Sequence, residues 1–235
     1  MHSVMKNFTH EDQQKIWDAE HRRPTVLLQV DSEDVSSGVR KFWEFLIEKG
    51  ALRRSGVEMG CGKGRNVIWL ASNGVEMHGF DFSPVAIEEA RGRAKVAGVK
   101  SAYFDIQDAT KRWNYENDTF DFAIDCFALT DIESAEGRAF AVGEFRRVLK
   151  PGGYLLAYLL SSEDEFHAEM MRRAPAEQPN AFHHPTGKFE KMFDEEEIQS
   201  VYRDFNVEQW ERIQKTATFH GKEYQCLHHY LVLSK

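Results

Sequence analysis

Cysteine is scarce in this 235-residue chain: Cys61, Cys126 and Cys226 lie far apart, with no C-x-x-C pair and no even-numbered framework. That pattern excludes a disulfide scaffold and fits a reduced, cytoplasmic compartment. No set of His, Cys or acidic residues has metal-ligand spacing, so no metal is expected. No apolar run approaches the ~20 residues that span a bilayer. The opening "MHSVMKNFTHEDQQ" is polar and lacks the apolar core of a signal peptide, so no membrane partner is expected. Basic residues are also in the minority, 30 against 38 acids, for a net charge of -8. Gripping nucleic acid requires a basic surface that displaces counterions, which argues against that partner unless a local patch supplies it. Repeats and low-complexity tracts are absent.

What is present is 42% hydrophobic residues, enough for one sizeable core. "HEDQQKIWDAE" (10–20) reads as a short polar helix. "SGVRKFWEFLIEKG" (37–50) reads as an amphipathic one, with Val39, Phe42, Phe45 and Leu46 at helical spacing. An alternation then begins: strand "GVEMG", helix "GRNVIWLASNG", strand "VEMHGFD", helix "SPVAIEEARGRAKVAG", strands "SAYFDIQDA" and "FDFAIDCFAL", helix "SAEGRAFAVGEFRRVLK" closed by "PGG", and strand "GGYLLAYLLS". Residues 162–193 break the rhythm with three of the six prolines and three of the ten histidines, reading as a helix and an irregular segment. A helix ("DEEEIQSVYRDF") and two strands that can pair as a hairpin ("NVEQWERIQ", "YQCLHHYLVLSK") follow. Asp194 to Glu197 suit a charged first helical turn. The expected fold is α/β, Rossmann-like and doubly wound, with helices on both faces of a mostly parallel sheet and an antiparallel C-terminal hairpin. Right-handed crossovers put every strand's carboxyl end, and so the ligand crevice, on one edge. Residues 1–50 are expected to be a helical segment covering the site, and 51–235 the main domain, with a lid-like insertion at about 162–193.

The stretch "VEMGCGKGRN" (57–66) places three glycines in five positions after a short strand. A phosphate-binding loop needs G-x-x-x-x-G-K-[ST]. Here Val57 replaces the first Gly, and Gly64 replaces the hydroxyl residue after Lys63. The dinucleotide fingerprint fails as well, because its third Gly would fall at Arg65. Glu58 beside the loop is a poor neighbour for a pyrophosphate and suits a cationic group.

The stretch resembles the first motif of class I S-adenosylmethionine-dependent methyltransferases. Further pieces resemble that family in order: "HGFDFSP", "QDAT", "FDFAIDCFAL" and "RRVLKPGGYLLAYL". The likeness covers roughly residues 52–160 and is weaker over 194–235. It implies S-adenosyl-L-methionine as cofactor and a seven-stranded sheet. It also implies a binding set of Glu58, Gly60, Cys61, Gly62, Gly64, Asn66, Asp81, Phe82, Ser83, Asp108, Ala109, Asp125, Cys126 and Phe127. In that resemblance Glu58 lies near the methionine amino group, and the three glycines keep side chains out of the cofactor's way. Asp81 accepts from both ribose hydroxyls. Phe82 lies against the adenine, Asp108 accepts from its amine, and Ala109 offers a backbone N–H. Cys126 and Phe127 lie where the methyl should be.

Plainer readings stand beside these. The glycines also suit a tight strand-to-helix turn, Asp81 a helix-leading cap, and Asp108 an ordinary loop acid. Cys61 and Cys126 read as small fillers rather than nucleophiles. His183 and His184 in "AFHHPTGK", with Asp125, are candidate bases, although surface loop histidines are common. In "HHY" (228–230) one histidine must face each side of the strand. Trp17, Trp43 and Trp69 are candidate aromatic walls, with core packing the plainer reading of Trp43 and Trp69. The pairs Arg22/Arg23 and Arg172/Arg173 are candidate partners of an anionic acceptor, with solvated surface the plainer reading.

Methyl transfer is an in-line displacement that needs a base only if the nucleophile must shed a proton. The acceptor is approached by elimination. "DCFA" lacks the [DNS]-P-P-[YFW] of base amino-methyltransferases, the Pro-Cys of cytosine-C5 enzymes and the D-x-x-Y of a protein-lysine subgroup. A small molecule is left, and the pattern resembles the branch with thiopurine, thiol and tellurite methyltransferases. The alternatives are a protein or RNA methyltransferase, favoured by a basic strip of Arg53, Arg54, Lys63 and Arg65, and a non-catalytic S-adenosylmethionine-binding protein. A nicotinamide oxidoreductase is more distant.

Overall fold

The computed structural model describes residues 9–23, 31–50, 55–219 and 221–235. Expectations placed on residues 1–8 and 24–30, and on Arg53 and Arg54, lie outside the described residues. Among these residues nine strands occur: β1 (Ser55–Met59), β2 (Glu76–Asp81), β3 (Ala102–Ile106), β4 (Phe120–Cys126), β5 (Leu149–Leu160), β6 (Ala181–His183), β7 (Phe189–Lys191), β8 (Asn206–Phe219) and β9 (Lys222–Ser234). The helices are α1 (His10–Arg22), α2 (Ser37–Glu48), α3 (Arg65–Ser72), α4 (Pro84–Val96), α5 (Ala135–Val148), α6 (Glu165–Arg173) and α7 (Glu195–Val201).

The main sheet has the order β3-β2-β1-β4-β5-β9-β8. β1 to β5 are mutually parallel, and β9 runs antiparallel to both β5 and β8. The doubly wound, mostly parallel sheet with its C-terminal hairpin is therefore as the alternation predicts. Both faces are buried. Val39, Phe42, Val67, Leu70, Ile87 and Ala90 from α2, α3 and α4 cover one. Ala141, Phe145, Val148 and Ile198 from α5 and α7 cover the other. Local signals start the helices: the Ser83 side chain accepts from Ala86 N and Pro84 opens α4, while Ser134 and Asp194 cap α5 and α7. No helix among the described residues is long and apolar enough to cross a membrane.

Two stretches differ from expectation. α5 stops at Val148, and "LKPGG" belongs to β5, where the pairing with β4 shifts between Phe120 and Phe122. That irregularity takes in Pro151, which cannot donate to a ladder. The second is the stretch after α6, which holds β6 and β7 paired antiparallel, Phe182 opposite Glu190. Strands of three residues are too short to show a period of two.

The turn after β1 is shaped by packing. Gly64 has φ +81°, and a Cβ there would lie 2.8 Å from the Phe104 ring. Gly64→Ala should lower the unfolding free energy by about 1–3 kcal/mol in urea melts. A change under about 0.5 kcal/mol would show that the turn reshapes freely.

Candidate active site

A cleft of about 1830 Å³ opens over the carboxyl ends of the parallel strands, bordered by α1 and by the segment after β5. Pockets for one drug-sized ligand span about 300–1,000 Å³, so this one has room for two molecules side by side.

One end is polar. Gly60, at φ +61°, turns the chain sharply after β1, and a Cβ there would lie 2.4 Å from that of Ala128. Glu58, on β1, is buried with one oxygen accepting from Asn66 Nδ2 at 2.7 Å. Its other oxygen has no protein partner. Burial pushes its carboxyl up to about 8, against the pull of Asn66 and Arg65. Asn66 in turn accepts from Ser36 N, tying the start of α2 to the site. Asp81 ends β2 and receives the N–H groups of Gly62 (3.0 Å) and Ser83 (2.9 Å). Burial raises its pKa, opposed by His21 and those two donors. Burial also disfavours the Asp108 charge, but the Thr110 hydroxyl and N–H, with Lys111, hold it below the usual range. His10 of α1 sits 3.2 Å from Asp108 and 5.6 Å from the Phe82 ring. Glu58, Gly60, Cys61, Gly62, Asn66, Asp81, Phe82, Asp108, Ala109, Cys126 and Phe127 all line this one cleft. Burial pushes the thiol of Cys61 well up and that of Cys126 to about 12, so neither is a thiolate nucleophile.

Four expected residues belong elsewhere. Gly64 does not line the cleft; it clears Phe104. Ser83 is fully buried, and its hydroxyl caps α4 and donates to Asp18 of α1. Asp125 alternates with Cys126 along β4, so its side chain enters the opposite layer, where it accepts from Leu129 N at 3.0 Å and approaches Tyr202 at 3.5 Å. His183 lies outside the lining, 3.3 Å from Glu133. His184 does line the cleft, but its Nε2 is bonded to Glu190 at 2.8 Å. Lys63 is buried against Asp31, which removes it from any open basic strip. Trp43 packs edge-on against Trp69, both partly buried against the core, while Trp17 faces the cleft beneath Lys188.

The other end was legible only at Phe127. It also carries Tyr158, Phe166, His167, Phe219 and His228. Phe127 has φ +68°, costly for a bulky residue. Its N–H bonds to Tyr158 O at 2.9 Å and its carbonyl accepts from Thr130. Between the ends, Lys188 is buried against Glu190 and Asp131. Burial opposes the Glu190 charge, yet Lys188 and His184 hold its carboxyl far down.

Glu58 supplies the fit test for the cofactor: a buried acid with one unpartnered oxygen in the cleft suits an ammonium. Asp108, Asp81 and the turn's backbone suit hydroxyl and amine donors. Titrating the protein with S-adenosylhomocysteine at pH 7, in buffers of different ionisation enthalpy, should show about one proton released on binding, and Glu58→Gln should remove that release. Asp125 gives a second readout. Burial raises it from 3.8 to about 7, so the folded state binds the extra proton between those values. Stability should fall as pH rises through that window. Asp125→Asn should flatten the fall in urea melts at pH 5 and 8; an unchanged slope would assign it to other groups.

Comparison with known proteins identifies the family. The family model "Methyltransferase domain" matches residues 55–221. A demethylmenaquinone methyltransferase of Leptospira interrogans is 33% identical over 103 residues, 43% of this chain and 40% of that protein. A 2-heptyl-1-hydroxyquinolin-4(1H)-one methyltransferase of Mycobacteroides abscessus is 32% identical over 71 residues, 30% of this chain and 31% of that protein. The chain spans less than half the length of these two relatives. The crystal structure of an S-adenosylmethionine-dependent methyltransferase from Methanosarcina mazei has the same fold, with TM-score 0.69 and 23% identity, covering 80% of this chain and 96% of that one. With a domain match running from β1 into the C-terminal hairpin and a site to suit the cofactor, the chain belongs to the class I S-adenosylmethionine-dependent methyltransferases.

Proposed function

We propose that this protein transfers a methyl group from S-adenosylmethionine to a small-molecule acceptor. The carrying observation is the division of one cleft into an acidic end and an aromatic end. S-adenosylmethionine held there would supply a methyl group on a sulfonium, whose sulfur would leave as a neutral thioether. In this reading Glu58 holds the ammonium of the cofactor, Asp81 the ribose hydroxyls, and Asp108 with Ala109 the adenine edge. Cys126 and Phe127 border the place where the acceptor must come within about 3–3.5 Å and in line.

Two segments cover the cleft. α1 lays His10, Gln13, Trp17 and His21 along it. Gln13 Nε2 bonds to Gly187 O at 3.1 Å, joining α1 to the 162–193 insertion. We assign both the role of a cover that excludes water. An acceptor closed in this way is small. The names of the two curated relatives refer to small-molecule acceptors, which supports the same reading. Lys63, already held by Asp31, weakens the case for a nucleic-acid track. The three free cysteines support a cytoplasmic setting.

Calorimetric titration with S-adenosylhomocysteine, beside NAD and ATP, tests the cofactor. Only the adenosyl ligand should bind, at micromolar concentration, and Asp81→Ala should weaken it at least ~10-fold, about 1.4 kcal/mol. Turnover on small ring hydroxyls and amines tests the transfer. Tight binding without turnover on a broad panel would favour a sensor, and preference for NAD or ATP would sink the reading.

A further inference from the structure

At the aromatic end of the cleft one hydrogen bond between a phenol and an imidazole sets how a histidine faces the open space. Tyr158 lies 3.1 Å from Nδ1 of His228 on β9. A phenol is the stronger donor of the two and an imidazole nitrogen the stronger acceptor, so Tyr158 gives its hydrogen to Nδ1. A neutral imidazole that accepts at Nδ1 carries its hydrogen on Nε2. His228 lines the cleft, and among the described residues none bonds to its Nε2.

Burial holds His228 down to about 4, so it is uncharged near neutrality. Of the charged and titratable groups around it, Asp164 pulls the other way, while His167, Lys215 and His229 push it further down. Asp164 is fully buried and engaged by the His167 ring and by Leu227 N, so its charge is already satisfied. Tyr158 is itself pushed up to about 12 and stays a phenol. Flat walls flank the imidazole: Phe127 and Tyr158 present rings 5.0 and 5.3 Å from it, both edge-on.

Building on the methyl-transfer reading, we propose that His228 is an acceptor-binding residue whose Nε2–H selects flat small molecules carrying an anionic oxygen. Tyr158 is a positioning residue: it sets which ring nitrogen bears the hydrogen. An acceptor whose hydroxyl is already ionised needs no base. That accounts for a cleft in which Asp125 faces away and His184 is bonded to Glu190.

The test uses the full chain saturated with S-adenosylhomocysteine and 4-nitrophenol as probe, followed by its phenolate absorption across pH. Bound probe should stay ionised to about tenfold higher acidity than in solution, and Tyr158→Phe, which keeps the ring, should erase most of that shift. Long-range ¹H–¹⁵N spectra of the unaltered protein should show His228 protonated at Nε2. Protonation at Nδ1, or a bound probe that is neutral, would overturn the proposal and make His228 a hydrogen-bond acceptor. Failure of the probe to bind a protein that does bind S-adenosylhomocysteine would overturn it too, with the methyl-transfer reading intact. Failure to bind either ligand would remove both.

Discussion

β1 and β4 lie side by side at the middle of the sheet, and the chain winds away from them in opposite directions: through β2 and β3 on one side, through β5, β9 and β8 on the other. α3 follows β1 onto one face, and α5 follows β4 onto the other. A gap is therefore left above their carboxyl ends, where an open α/β sheet binds its ligands. Every residue at the polar end is placed by its distance from that gap. Glu58 and the glycine turn sit on it, Asp81 stands one strand out, and Asp108 follows the strand beyond.

The gap also decides which charges the fold can carry. Glu58 and Asp125 occupy neighbouring strands, yet one faces the cleft and the other the α5 layer. Burial raises both, but their partners differ. Asp125 is served by backbone N–H groups of the turn that follows it, so it fixes that turn. Glu58 keeps one oxygen without a partner. A half-served buried acid is a standing cost that a cation removes on arrival, so binding and stability are linked through one carboxyl.

The polar end was readable because parallel strands concentrate ligand chemistry at their carboxyl termini. A glycine turn, Asp81 and Asp108 each follow a recognisable strand, and short range fixes them. Asp125 and Ser83 show the limit of such reading. Both sit inside motifs, but strand alternation turns one away and a helix cap occupies the other. Beyond Phe127 the aromatic end was not readable because register assembles it. His228 rather than His229 faces Tyr158 only because β9 pairs Leu160 with His228, and no local signal sets that offset. Lys188 and Glu190 likewise read as ordinary polar residues until β6 and β7 pair and bury them.

The two ends of the cleft also differ in how far apart along the chain their parts lie. β1, β2 and β3 pair with near neighbours in sequence, whereas β5 waits for β9, and the β8–β9 hairpin continues past the sheet to meet α6, where Phe219 stacks on Phe166 with ring centres 4.1 Å apart. Contacts between distant segments form late, because the loop between them must first be closed. A chain leaving the ribosome thus has the strands of the polar half of its cleft before the aromatic wall. The order of synthesis keeps the cleft unfinished until the hairpin has docked.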